Sequence, residues 1–300
     1  MGIEYLYSED YYKDMQEGSW RSAKEIIPLV LELIHPKSVI DVGCAVGTWL
    51  LVFKEYGVKD IMGVDGPYVD KKMLQISEER FLSFDLRKPL RMNRQFDLVV
   101  SLEVAEHIPR ECAETFIDNL VRLGPVILFS AAIPFQDTEY HLNEQWPDYW
   151  VKYFQERGYV MIDCIRKKIW QSDNVELWYA QNILMFVRQN YLKSHPLLRK
   201  LHENTATSQL SIVHPRLYLK LQQKYITKET QLQSIQTKLQ SILNSRPYGL
   251  LSYLDWSLKK FLLIRNMLKH VLNFLFSLCM KFCKKTRRKT SGENRRKKRN

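Results

Sequence analysis

The segment Asp41-Val42-Gly43-Cys44-Ala45-Val46-Gly47 follows an apolar run and leads into a helical pattern. Gly43 and Gly47 let the backbone turn tightly and let a ligand approach it closely. Their spacing excludes two phosphate-binding loops. A dinucleotide fingerprint needs G-x-G-x-x-G, whereas these glycines stand four apart, and no G-K-[ST] follows to complete a P-loop. Asp65 and Asp85 each close a later apolar run, and Ser101-Leu102-Glu103-Val104-Ala105-Glu106-His107 follows another. An ionised carboxylate offers two acceptor oxygens to adjacent donors. His107 and His141 carry imidazoles, whose ordinary pKa suits proton transfer near neutrality. Cys44, Cys112, Cys164, Cys279 and Cys283 are scattered without a C-x-x-C, so no zinc site or disulfide framework is legible and no metal cluster is visible. A reducing compartment is expected.

These residues need a scaffold that brings them to one edge. Strand-length apolar runs at 38–42, 60–65, 80–85, 96–101 and 125–130 alternate with helical patterns at 47–56, 70–77 and 110–123. A further helix precedes the first strand, with Ser19 as its N-cap and Ile26, Ile27, Val30, Leu33 and Ile34 at helical spacing. Such alternation implies a parallel sheet covered on both faces, with ligands bound at the carboxyl ends of its strands. Pro147 fits a first helical position and Gly158 a helix stop. Between them Trp150, Val151 and Phe154 share one face, which reads Trp150 as core rather than ligand wall. YVMIDCI and QNILMFV supply sixth and seventh strands.

Asp41-x-Gly43-x-Ala45-x-Gly47 resembles motif I of the class I S-adenosylmethionine (SAM)-dependent methyltransferases, usually [DE]-x-G-x-G-x-G. Ala45 stands in place of the middle glycine, a replacement that costs little where φ is negative. The resemblance implies that Asp41, Gly43, Ala45, Gly47 and Glu103 belong to the cofactor site. It also implies that Asp65 accepts the ribose hydroxyls and Asp85 the adenine amino group. Ser101-Leu-Glu103-Val-Ala-Glu106-His107 resembles the family's loop after the fourth strand. The implied fold is α/β: a Rossmann-like, seven-stranded, mostly parallel sheet with helices on both faces and one antiparallel strand. Two plainer readings stand beside these roles. Asp85 could be a turn acid, and Glu106 and His107 could cap the helix that follows Pro109.

The family resemblance covers roughly residues 18–188. Within it, F-S-A-A-I-P and H-x-N-E-Q-W-P-x-Y-W (129–150) resemble a subgroup associated with bacterial glycan and surface-polysaccharide synthesis. That resemblance implies a sugar or glycolipid hydroxyl as acceptor, a poor nucleophile that gains from a general base. His141 is the first choice and His107 the second. Asn143, Glu144 and Gln145 either orient hydroxyls or cap the next helix.

The 300 residues are 45% hydrophobic and 26% charged, which excludes a membrane-integral chain and a disordered polyelectrolyte. The net charge of +12 is unevenly spread. Residues 1–190, read as the methyltransferase domain, hold 21 Lys+Arg against 29 Asp+Glu; residues 191–300 hold 24 against 4. A basic arm on an acidic body points to an anionic surface or polymer. Residues 191–216 read as a linker. Over 217–245, Tyr218, Leu221, Tyr225, Lys228, Leu232, Ile235, Leu239 and Ile242 recur at heptad steps, so 218–243 would form a coiled-coil homodimer or pack on its own domain. Residues 246–283 combine apolar and basic side chains and read as a membrane-interface helix, followed by a disordered basic tail over 284–300. An anionic membrane surface would meet 256–300, each basic residue near it adding about 1 kcal/mol. The first fifteen residues, acidic and aromatic, carry no secretory signature. The expected location is therefore cytoplasmic, peripheral at the inner face of the cell membrane. Three rival functions remain: an RNA methyltransferase with a basic arm, a quinone or lipid methyltransferase, and a non-catalytic coiled-coil scaffold. Nucleic acid is the less favoured partner, because no aromatics interleave the tail.

Overall fold

Each of the seven apolar runs becomes a strand of one sheet. The computed structural model describes residues 9–136, 140–244, 255 and 257–272. The chain divides into two units, Met1–Lys224 and Tyr225–Asn300. In the first unit the strands are β1 (Ser38–Val42), β2 (Asp60–Asp65), β3 (Phe81–Ser83), β4 (Leu98–Leu102), β5 (Val126–Ser130), β6 (Tyr159–Ile162) and β7 (Leu184–Arg188). They lie in the order β3-β2-β1-β4-β5-β7-β6, and only β7 runs antiparallel to its neighbours. The order reverses between β1 and β4, so the carboxyl ends on either side of β1 open one crevice.

Period-two alternation divides the strand side chains between two cores. Val39, Leu98, Val100, Leu128 and Met185 face one apolar cluster with helices α1 (Glu9–Ile34) and α2 (Thr48–Glu55). Ile40, Val99, Ile127, Phe129 and Phe186 face the other, with α3 (Ala113–Leu123) and α4 (Pro147–Glu156). Trp150 and Phe154 of α4 pack around Phe129, with ring centroids 5.5 and 5.3 Å from it. Trp150 is therefore core, and Pro147 opens the helix as expected. Gly158, at φ +76°, follows its end.

Several local expectations need correction. Ser19 is no N-cap: α1 starts at Glu9, and the Ser19 hydroxyl lies inside it, 3.2 Å from the Tyr179 hydroxyl. The 70–77 helix shrinks to a single 3-10 turn, Lys71–Met73, capped by Asp70. It stops there because the Gln75 amide donates to the Val46 carbonyl (2.8 Å), tying this segment to the glycine loop. β3 ends at Ser83, which leaves Asp85 in the turn beyond it.

The 191–216 segment, expected as a linker, is largely helical. It carries α7 (Gln189–Lys193) and α8 (Pro196–Glu203), after the short helices α5 (Arg166–Ile169) and α6 (Leu177–Asn182). Leu198, Leu210 and His214 are buried. The Arg166 guanidinium, itself buried, explains the attachment: it pairs with Asp163 (2.6 Å) and donates to the carbonyls of Gln181 and Leu210. Apolar matching alone did not reveal it, because polar bonds from distant residues hold this segment, several of them ending on backbone carbonyls.

The boundary between the units falls within α9 (Pro215–Asn244). In the second unit Tyr225, Leu232, Ile235 and Leu239 of the heptad seam are exposed. Residues 257–272 are helical, with Phe261, Leu263, Ile264, Met267 and Leu268 exposed. No helix among the described residues is long and apolar enough to cross a membrane. The basic tail at 284–300 and residues 273–283 of the expected membrane-interface helix lie outside the described residues.

Candidate active site

The glycine loop is shaped by three alternate residues with positive φ: Gly43 (+88°), Ala45 (+47°) and Gly47 (+87°). A Cβ on Gly43 would stand 2.3 Å from Val104, so glycine is required there by space as well as by φ. Ala45 therefore lacks the negative φ at which alanine in place of glycine costs little. Its amide is held by Asp65 (N–Oδ2 2.6 Å), and this bond turns the loop toward β2.

Asp65 ends β2 opposite Ser83 of β3. It is buried and accepts from the amides of Ala45 and Gly66 (both 2.6 Å) and from the Tyr68 hydroxyl (2.5 Å). Burial pushes its carboxyl up, while the bonds from Tyr68, Gly66 and Ala45 favour the ionised form. The geometry fits a ribose diol. Two backbone donors fix the carboxylate, and a hydroxyl already occupies Oδ1 from the half-exposed Tyr68 ring. Asp41 lies one strand away, buried, with its carboxyl raised well above the usual range by burial and then by the Asp65 charge. Asp85 is committed elsewhere. Arg87 takes both oxygens (2.8 and 2.9 Å) and lowers its pKa, so the side chain acts here as a turn acid. An adenine amino group would have to displace that guanidinium.

The loop after β4 turns inward. Glu103, at φ +55°, accepts from Gln136 (2.9 Å) and from Asn182 (3.0 and 3.2 Å). Burial raises its pKa against these bonds and one from Ser130. Glu106 is fully buried, and among the described residues neither carboxyl oxygen makes a hydrogen bond of good geometry, the nearest donors being the backbone amides of Glu106 and Ala132. Burial lifts it well above the usual carboxylate range, and the Glu103 charge adds to the effect. Glu106 and His107 do not cap a helix: α3 begins at Ala113 with no side-chain cap.

The loop after β5 closes over this turn, its Leu142 and Asn143 amides donating to the Glu106 carbonyl (2.8 and 2.9 Å). It delivers His141 to within 4.9 Å of His107, centroid to centroid, with the rings nearly perpendicular. His141 Nδ1 bonds Glu144 (2.8 Å), whose other oxygen accepts the Phe135 amide (2.6 Å). Glu144 therefore positions the imidazole and does not cap α4, whose N-cap Trp146 makes no side-chain bond. Asn143 is buried and accepts from Gln145 (2.9 Å).

Of the residues singled out from sequence, Asp41, Gly43, Ala45, Gly47 and Asp65 form one cluster around the β1 and β2 ends. Glu103, His107 and His141 form another beyond β4 and β5. Sequence reasoning missed Gln136 and Asn182 as site residues; it had Glu106 only as a loop residue or helix cap, and Glu144 as orienting hydroxyls or capping α4. The E-x-x-E-H spacing was the one available signal for Glu106; the rest depend on contacts between distant segments.

A sheet ordered 3-2-1-4-5-7-6, with the seventh strand reversed and a glycine loop after the first, is a class I SAM-dependent methyltransferase fold. Residues 13–163 match the family described as the methyltransferase domain, and the chain belongs to that family. No curated protein matches the chain by sequence. Similar solved structures include magnesium protoporphyrin IX methyltransferase from Synechocystis PCC 6803 with bound SAM, at 20% identity over 61% of this chain and 86% of that one (TM-score 0.45). Another is a SAM-dependent methyltransferase from Clostridium acetobutylicum ATCC 824, at 12% identity over 62% and 99% (TM-score 0.44). A third is human N-acetylserotonin methyltransferase in complex with SAM, at 13% identity over 59% and 55% (TM-score 0.42).

Proposed function

We propose that this methyltransferase moves the methyl group of SAM onto a hydroxyl oxygen of a glycan or glycolipid at a membrane surface. The observation that carries oxygen transfer is the His141–Glu144 pair at the carboxyl edge of the sheet. With Nδ1 held by Glu144, Nε2 is the ring nitrogen left to receive a hydroxyl proton. SAM, when bound, supplies an electrophilic methyl on a sulfonium. Asp65 holds the ribose, the turn through Gly43, Ala45 and Gly47 admits the backbone of the loop to the cofactor, and Glu103 lines the far side. The exposed side chains of Phe135, Tyr140, Leu142 and Trp146 surround His141 in sequence and supply an apolar rim on which a sugar face can lie. Such positioning and exclusion of water are the main protein contributions to methyl transfer.

The glycan assignment rests on the resemblance of 129–150. Two features support the membrane: the exposed apolar side chains of 257–272 and the excess of basic residues after 190. Insertion plus polybasic attraction would give a two-signal anchor. The exposed seam of α9 is the proposed dimer contact.

The test is transfer of labelled methyl from SAM into glycolipid, RNA and protein fractions, with Asp65→Ala as the blank. Label in glycolipid or polysaccharide, absent from the blank, is expected. Label confined to RNA would refute the acceptor class.

A further inference from the structure

We propose that Glu106, His107 and His141 bind a divalent first-row metal ion that in turn binds the acceptor hydroxyl. One donor atom from each of these residues lies within 4.8 Å of the others. Around a shared ion with bonds of about 2.0–2.2 Å the same atoms would stand roughly 3–4 Å apart, so rotamer adjustments suffice.

Two independent observations point to a ligand at this position. The first is the poorly satisfied carboxylate. Glu106 is 0% exposed, and neither oxygen makes a hydrogen bond of good geometry among the described residues, its nearest donors being the backbone amides of Glu106 and Ala132. A buried carboxylate without a partner is costly, and native structures pair such groups or place them on metals. Among the described residues no Lys or Arg forms an ion pair with Glu103 or Glu106. The second observation is the orientation of both imidazoles. His107 Nδ1 faces the Tyr140 carbonyl (3.4 Å), and His141 Nδ1 faces Glu144 (2.8 Å). Each ring thus turns Nδ1 toward a protein acceptor, and for His141 Nε2 is then the nitrogen that would face a metal. Histidine ligands are held in this way, with a carboxylate or carbonyl on the second nitrogen.

Two imidazoles and one carboxylate suit Mn²⁺, Fe²⁺, Co²⁺ or Zn²⁺ better than Ca²⁺, which prefers six to eight oxygens. Three protein ligands leave positions for the acceptor oxygen and water. The inference deepens the proposed transfer to oxygen and rests on it for the acceptor. A hydroxyl bound to the ion loses its proton more readily. That proton passes to solvent, the oxygen forms its bond to the methyl carbon, and the carbon–sulfur bond breaks with its electron pair left on sulfur. His141 is then a ligand, and the ion replaces it in acidifying the acceptor.

Mn²⁺ titration of the full chain, followed by loss of the free-ion electron paramagnetic resonance signal, tests the site without activity. One ion per chain is expected, with Ca²⁺ failing to compete. Glu106→Gln and His141→Ala should each weaken Mn²⁺ binding at least tenfold while circular dichroism and SAM affinity stay unchanged. Glu144→Gln should weaken it by roughly ten- to a hundredfold, as loss of an outer partner does. Absence of stoichiometric binding, or Glu106→Gln binding as tightly as wild type, would overturn the proposal. Methyl transfer that resists a chelator but fails in His141→Ala would also overturn it and leave His141 as the base. Mn²⁺ bound at this site in a protein that methylates no glycan would support the site and sink the acceptor assignment instead.

Discussion

Asp41 and Ala45 sit in the same loop and depart from ordinary chemistry in different ways. Asp41 keeps its proton to higher pH in the folded chain than in the unfolded one, because burial and the Asp65 charge both oppose ionisation. Its contribution to stability is therefore full below the unfolded pKa of about 3.9 and falls as pH rises through the folded value. Asp41→Asn removes that loss. Its melting temperature should gain on the wild type steadily from about pH 4 upward, and a gap that does not widen with pH would refute the assignment. Ala45 bears its side chain at φ +47°, where an L-residue is strained by about 1–2 kcal/mol. Ala45→Gly should raise the melting temperature by roughly 2–4 °C per kcal/mol recovered. The positions of Asp41, Gly43, Gly47 and Asp65 were legible because apolar runs fix where strands end. The φ of Ala45 was not, since it follows from the Ala45–Asp65 bond across two strands.

At the scale of elements, seven strands and the helices α2, α3 and α4 followed from alternation and spacing. What escaped was everything held by single polar bonds, from the truncated 70–77 helix to the docked segment after β7. Arg166 is the clearest case. It is buried, pairs with Asp163, and reaches carbonyls on two other segments. Arg166→Ala leaves Asp163 with no guanidinium and two carbonyls without a donor. A loss of about 3–5 kcal/mol is expected in denaturant unfolding. A loss below 1 kcal/mol would mean that α8 and the stretch around Leu210 stay attached without the Arg166 bonds.

The whole molecule joins an acidic catalytic unit to a basic, apolar-faced end. Its division at Lys224 makes a direct prediction. A chain ending at Lys224 should fold, bind SAM with unchanged affinity, and no longer sediment with vesicles of anionic lipid. The full chain should bind those vesicles and lose much of that binding as salt rises, because the Debye length shrinks from about 10 Å at 0.1 M to 3 Å at 1 M. Vesicle binding by the shortened chain would place the membrane contact on the catalytic unit instead.

With Asp65 as the proposed ribose acceptor, the Tyr68 hydroxyl on it would turn cofactor entry into an exchange. Oδ1 already accepts from the Gly66 amide and from this phenol, so an arriving ribose hydroxyl would have to take the phenol's place. Association is then gated by how often the ring swings out rather than by encounter. Stopped-flow binding should show an observed rate that levels off at high SAM concentration, and in Tyr68→Phe it should climb in proportion to concentration. The tyrosine adds a third donor to a carboxylate that two amides already hold, and slower loading would be the cost of that extra bond.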